Sequence, residues 1–237
     1  MLKIDLHTHT NNVVKRYDST INPKDLINKA AKLKFDVISI TEHSAYKTIS
    51  GTKYIKNPLA TYQQYKDYAK KKGVILLPGV EIYVEGKDIL LINFKGDYNK
   101  YKNIQDLEKL KKENVIVIAP HPYFIGGSCL KNKLEQNIKI FDAIEYSHFY
   151  LKHINPNKKA VEIAKKYKKP MIATSDAHFL FAFGRNYSFV DAEKKVDSIL
   201  EAIRKNKIKI VTKPWDLPRF SFLFVYQIYS TTLEKLQ

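Results

Sequence analysis

Six of the seven histidines in this chain fall at or just beyond the ends of apolar, strand-like runs, each in a short motif with a carboxylate, a second histidine or a proline. In order the motifs are Asp5-Leu6-His7-Thr8-His9, Thr41-Glu42-His43, Ala119-Pro120-His121-Pro122, Ile144-Glu145-Tyr146-Ser147-His148 and Thr174-Ser175-Asp176-Ala177-His178. A further motif, Pro78-Gly79-Val80-Glu81, puts a carboxylate in the same kind of place. Imidazole nitrogens and carboxylate oxygens are the donors that zinc, manganese or iron require, and a bridging carboxylate lets two cations share one hydroxide. Singly each motif is weak, because a lone strand-end histidine is usually a hydrogen-bonded structural residue. Together they constrain the fold to one that gathers strand ends, and they read as a multinuclear metal hydrolase.

The strand-like runs supply such a fold. They cover 2–6, 36–41, 74–82, 115–119, 142–146, 170–174 and 186–190, with helical stretches between them, the rhythm of βα units around a parallel sheet or barrel. Val115-Ile116-Val117-Ile118-Ala119 is apolar throughout, as expected of a strand covered on both faces. Asn22 followed by Pro23 marks a helix start, with Leu26, Ile27, Ala30 and Leu33 on one face. Asn157 reads as a second N-cap, and 193–205 as a further helix carrying Val196, Ile199, Leu200 and Ile203 at helical spacing. Gly86-Lys87, between two apolar runs, suggests an added hairpin. The fold class predicted is α/β, a distorted (β/α)7 barrel of the TIM-barrel-like kind. In such barrels the C-terminal strand ends form the active-site mouth, so the scattered motifs would converge there. His7 and His9, two apart, would share a strand face.

With 237 residues and no linker, repeat or low-complexity tract, the expectation is one barrel domain over 1–213. The tail, 214–237, packs Phe220, Phe222, Leu223, Phe224, Val225, Tyr226, Ile228 and Tyr229 into a short uncharged stretch, expected to lie on the barrel or on a partner subunit. No run reaches the roughly 18 apolar residues of a membrane span. The start lacks the basic and apolar regions of a secretion signal, and Cys129 is alone, so a reducing, cytoplasmic setting is expected. The formal charge of +17 favours anionic partners: phosphorylated metabolites, nucleotides or nucleic acid.

The ordered set of motifs resembles the PHP superfamily, the polymerase and histidinol phosphatase type, from Lys3 to about Val211. That resemblance implies a distorted seven-stranded (β/α) barrel with three divalent ions, of zinc, manganese or iron. Carried over to this chain, it implies that His7, His9, Glu81 and Asp176 bind one metal, with Glu81 bridging to a second held by His121 and His148. His43 and His178 would hold the third together with Asp18, whose Tyr17-Asp18-Ser19 setting is similar to the family's Ser-Asp-Gly stretch. Glu42 stands where the family usually has Asp before the histidine. Its extra methylene leaves two options open, direct coordination or orientation of a ligand from outside. Asp5 and Glu145 are expected behind the ligands.

The chemistry expected is hydrolysis of a phosphate ester of a small metabolite or nucleotide by a metal-bridging hydroxide. Arg185 and Arg16 are placed to neutralise the phosphate through bidentate contacts. Two alternatives are carried forward. One is a nuclease acting on DNA or RNA ends, which the positive charge encourages. The other is a non-catalytic RNA-binding protein of ribonuclease P type, which would not need a complete ligand set.

Overall fold

The structure is a computed structural model and describes residues 1–13, 19–48 and 51–235. Its strands are β1 (Leu2–Thr8), β2 (Val37–Ile40), β3 (Ala45–Thr48), β4 (Gly51–Tyr54), β5 (Ile75–Val84), β6 (Lys87–Ile92), β7 (Ile116–Ala119), β8 (Ala143–Tyr146), β9 (Met171–Ala173), β10 (Tyr187–Val190) and β11 (Ile208–Val211). The helices are α1 (Pro23–Lys32), α2 (Ala60–Lys71), α3 (Asn132–Gln136), α4 (Asn157–Lys166), α5 (Val196–Arg204) and α6 (Leu217–Lys235). Residues Ile104–Lys112 form 3₁₀ turns.

Nine strands form one curled sheet in the order β11-β10-β1-β2-β5-β6-β7-β8-β9, an α/β barrel close to closure. The edge strands are β9 and β11, and beside this seam the Ser188 hydroxyl of β10 accepts from Ala173 N of β9 and donates to Ala173 O, both at 2.9 Å. One side chain thus substitutes for a backbone ladder.

The barrel is not a uniform run of parallel strands. β1, β2 and β5 pair in parallel, as do β7, β8 and β9. Between the two groups, β5 turns at Gly86 (φ +75°) into the antiparallel β6, which pairs antiparallel with β7. The Gly86-Lys87 hairpin therefore replaces a helical crossover. It still returns β7 to the direction of β5, so six strands point their C-terminal ends at one mouth. The seventh predicted strand, 186–190, forms as β10, but its direction is a correction to the parallel rhythm: it pairs antiparallel to β1 and ends away from that mouth.

Inside the barrel, Ile4, Leu6, Val37, Leu77, Ile116, Ile118 and Ile172 pack with Ile199, Leu200 and Ile203 of α5, all buried. This apolar plug lies on the N-terminal side of the histidine motifs in sequence along each strand. It leaves the polar residues at the opposite end. α1 starts as its sequence indicates, with the Asn22 side chain accepting from Lys24 N at 2.9 Å and Pro23 in the first turn. α4 does not. Pro156 is its N-cap, and Asn157 instead accepts from Ser147 N at 2.8 Å and donates to Ser147 O at 3.0 Å, fixing the backbone beside His148.

Trp215 and α6 follow the barrel. Trp215 N donates to Tyr150 O, and the ring of Phe220 packs on Phe149 with centroids 4.6 Å apart. Among the described residues, no helix is long and apolar enough to cross a membrane.

Candidate metal centre

The centre is assembled at the mouth from residues of six strands, five of them contributing from their ends or the loops just beyond. His7 and His9 alternate along the end of β1 and so face the same way, both fully buried, with their Nε2 atoms 3.0 Å apart. Opposite them, Asp176 follows β9 in a left-handed turn (φ +43°), and its Oδ1 lies 3.2 Å from both Nε2 atoms. Glu81 comes up between, its Oε2 3.4 Å from each.

Glu81 is not at a strand end, as its sequence motif suggested. It lies within β5, just past the point where pairing with β2 stops and pairing with β6 begins. Gly79 makes this crossing possible, because a methyl group there would collide with Ser39 Oγ and Thr41 Cγ2. The remaining Glu81 contacts are imidazoles: His43 Nδ1 at 2.9 Å from Oε2 and His121 Nε2 at 3.3 Å from Oε1. His121, like Asp176, takes a left-handed backbone (φ +27°), a conformation that non-glycine residues adopt rarely and that concentrates at functional sites. On the other flank the rings of His43 and His178 stack on His9, with centroids 4.5 and 4.3 Å away.

Behind these groups stand two buried acids. Glu145 accepts from His7 Nδ1 at 2.8 Å, from His121 N at 2.6 Å and from the Thr174 hydroxyl. Asp5 accepts from Ser175 N at 3.1 Å and His7 N at 3.4 Å, and burial pushes its carboxyl up to about 7. Burial by itself would lower His7, but Asp176, Glu145 and Glu81 outweigh it and raise the imidazole well above its ordinary value.

The tautomer of His7 tests whether these residues suit a cation. Its Nδ1 faces the Glu145 carboxylate and so carries the proton when the ring is neutral, leaving a lone pair on Nε2. That lone pair points at Asp176 Oδ1 and Glu81 Oε2, acceptor against acceptor. A proton on His7 or a cation among the three relieves this, and a donor set of imidazoles and carboxylates is one that divalent ions accept. The described residues form four groups whose ligand atoms lie within 4.8 Å of one another: His7, His9 and Glu81; His7, His121 and Asp176; His9, His43 and His178; and Glu81, Asp88 and His121.

Asp88 was missed in the sequence. It lies on β6 opposite Tyr83 of β5, which puts it on the same sheet face as Glu81, and burial followed by the Glu81 charge raises its carboxyl to about 6. The Gly86-Lys87 turn held the signal, because a hairpin register fixes which residues share a face.

The other expected residues divide. His148 stands off, its Nε2 4.0 Å from Asp176 Oδ2, and burial holds its ring neutral by lowering it to about 4. Glu42, expected as a possible ligand, joins none of the four ligand groups among the described residues. It accepts from Thr10 N at 3.2 Å, from the Thr10 hydroxyl, and from the Thr61 hydroxyl at 2.8 Å, tying β1 and β2 to α2. Arg185 does not reach the mouth either. It donates to Pro214 O at 2.9 Å, and its guanidinium lies 4.0 Å from the centroid of Trp215. Asp18 and Arg16 lie outside the described residues.

The model of the PHP domain family matches residues 5–210. The chain belongs to the PHP domain family. An uncharacterized protein of Methanocaldococcus jannaschii is 24% identical over 238 residues, 90% of this chain and 87% of its own length. Among solved structures, a two-domain Bacteroides vulgatus protein containing a predicted PHP-like metal-dependent phosphoesterase superposes with a TM-score of 0.65 at 20% identity, over 94% of this chain and 69% of its own. PsfC from Pseudomonas syringae gives 0.65 at 15% identity over 98% of both chains. At these identities the two structures share the PHP barrel fold with this chain. The PHP match contains every candidate ligand and ends before α6 begins.

Proposed function

We propose that the chain is a metal-dependent phosphoesterase acting on a small phosphorylated molecule. The observation that carries this reading is the convergence of His7, His9, Glu81 and Asp176, with His7 turned by Glu145 so that its Nε2 lone pair faces two carboxylates. His7, His9, Glu81 and Asp176 would hold one ion, Glu81, Asp88 and His121 a second, and His43 and His178, beside His9, a third. Zinc, manganese or iron suits this donor set. When bound, such ions supply charge neutralisation at phosphate oxygens and an activated water at neutral pH.

The protein's own part is positional. Glu145 fixes the His7 ring and, through His121 N, the backbone of a second strand end. Asp5 binds the Ser175 amide just before Asp176, and Asn157 fixes Ser147 next to His148. In the overall reaction a water oxygen forms the new bond to phosphorus, the ester P–O bond breaks, and a proton passes to the leaving oxygen. His148 lines the cavity with its Nε2 4.0 Å from Asp176 Oδ2, which suits the imidazole to proton handling at the mouth.

The test joins elemental analysis of the purified protein with a panel of phosphate esters assayed with added zinc or manganese. His7→Ala and Asp176→Asn are expected to lose bound metal and turnover together. Wild-type rates in both variants against every cleaved ester would overturn the assignment.

A further inference from the structure

The PHP centre opens into a cavity of about 600 Å³, within the range of small-molecule sites. The acids and imidazoles occupy one side. Facing them are aromatic and aliphatic groups: Phe124, Phe149 and Phe179 from barrel loops, and Phe224, Tyr226 and Ile228 from α6. Although the chain carries 41 lysines and arginines, none of the described lining residues is either.

This wall is built into the fold. Phe220 packs on Phe149, the ring of Tyr226 meets Phe179 edge-on with centroids 4.5 Å apart, and Leu223 is buried. The α6 side of the wall lies beyond the residues that the PHP family model matches.

We propose that α6 is a specificity wall, and that the ester accepted by the centre carries an uncharged apolar organic group of ring size or larger. Its phosphate end would meet the metal cluster, and its apolar body would lie between the barrel aromatics and Phe224, Tyr226 and Ile228. The phosphate end rests on the phosphoesterase reading above, whereas the apolar end rests on the wall. A nucleic-acid strand, with a backbone charge at every nucleotide, calls for a basic track leading to the centre, and the described lining residues offer none.

The test uses two ligands that cannot be hydrolysed, benzylphosphonate and methylphosphonate, titrated calorimetrically into the metal-loaded full chain. They share an anionic head and differ by a ring. Benzylphosphonate is expected to bind about tenfold more tightly or better, the scale of burying one ring. Phe224→Ala is expected to bring the ratio of the two affinities towards one. Ile228→Ala, at a position 54% exposed and therefore safe for folding, should lower it part-way. A wild-type ratio near one overturns the proposal, and so does a ratio that survives both substitutions. Hydrolysis of benzyl phosphate is scored separately. Selective binding of benzylphosphonate with no ester of the panel hydrolysed, benzyl phosphate included, supports the wall and sinks the phosphoesterase reading, whereas hydrolysis with a ratio near one does the reverse.

Discussion

His7 Nδ1 lies 2.8 Å from Glu145 Oε1, and both side chains are fully buried. The pair joins residues 138 positions apart and determines which nitrogen of His7 is presented to the mouth. The second Glu145 oxygen accepts the His121 amide, so one carboxylate orients two candidate ligands.

Glu145→Gln should therefore weaken metal binding without removing a ligand. The amide keeps one acceptor but presents an N–H₂ either to His7 or to the His121 N–H. Loss of such an orienting partner typically lowers metal affinity about tenfold to hundredfold. Competition with a chelating indicator measures this, and an unchanged affinity would remove Glu145 from the centre.

Glu42 should affect stability and leave metal content alone. Its oxygens accept from Thr10 and Thr61, and Glu42→Ala strands those buried donors, at about 1–3 kcal/mol for an unsatisfied group. Urea denaturation with parallel elemental analysis separates the two roles. A loss of bound metal with unchanged stability would return Glu42 to the ligand set.

Arg185 should report on Trp215. The chain has one tryptophan, so its fluorescence is a single-site probe. Arg185→Ala removes a cation lying over that ring, worth about 0.5–2 kcal/mol, and is expected to shift the emission and lower stability. A large rise in KM for a small phosphate ester, with unchanged emission, would instead restore the phosphate-binding role.

Metal addition should raise Tm in a concentration-dependent way, because an ion that binds only the folded chain stabilises it by about 2.7 kcal/mol at a hundredfold excess over Kd. His7→Ala is expected to blunt this shift. Differential scanning calorimetry across a zinc or manganese series decides it.

Asp142 gives a pH signature remote from the centre. Burial raises its carboxyl, outweighing the Val117 amide that donates to it at 2.8 Å and the nearby Arg204. The folded state then holds the proton more tightly than the unfolded chain. Its contribution to stability is fullest below the unfolded value of 3.8 and is lost as pH rises through the raised folded value. Asn resembles the protonated acid and can still accept from Val117. Asp142→Asn should gain stability relative to wild type as pH rises above about 4. Urea titrations across that window check the sign.

Much of the centre was legible in the sequence, because strand-end motifs need only one assumption, that parallel strands gather their C-terminal ends. His7, His9, His43, His121, Asp176 and His178 follow from it, whereas Glu81 reaches the cluster from within β5. Glu42 and Asp88 did not follow, since both are carboxylates near a histidine or glutamate motif, and only their neighbours distinguish them. Thr10 and Thr61 satisfy Glu42 from two different elements, whereas β6 carries Asp88 to Glu81.

The sequence by itself determined the donor types, the apolar runs that bury them and the turn at Gly86-Lys87, because those depend on composition and local periodicity. Tertiary structure decided which donors share an atom-to-atom distance, that β10 runs against β1, that Arg185 lies on Trp215, and that α6 faces the cluster. Each of these depends on contact between elements apart in sequence, from Arg185 and Trp215 to His7 and Glu145, 138 positions apart, which local periodicity cannot encode.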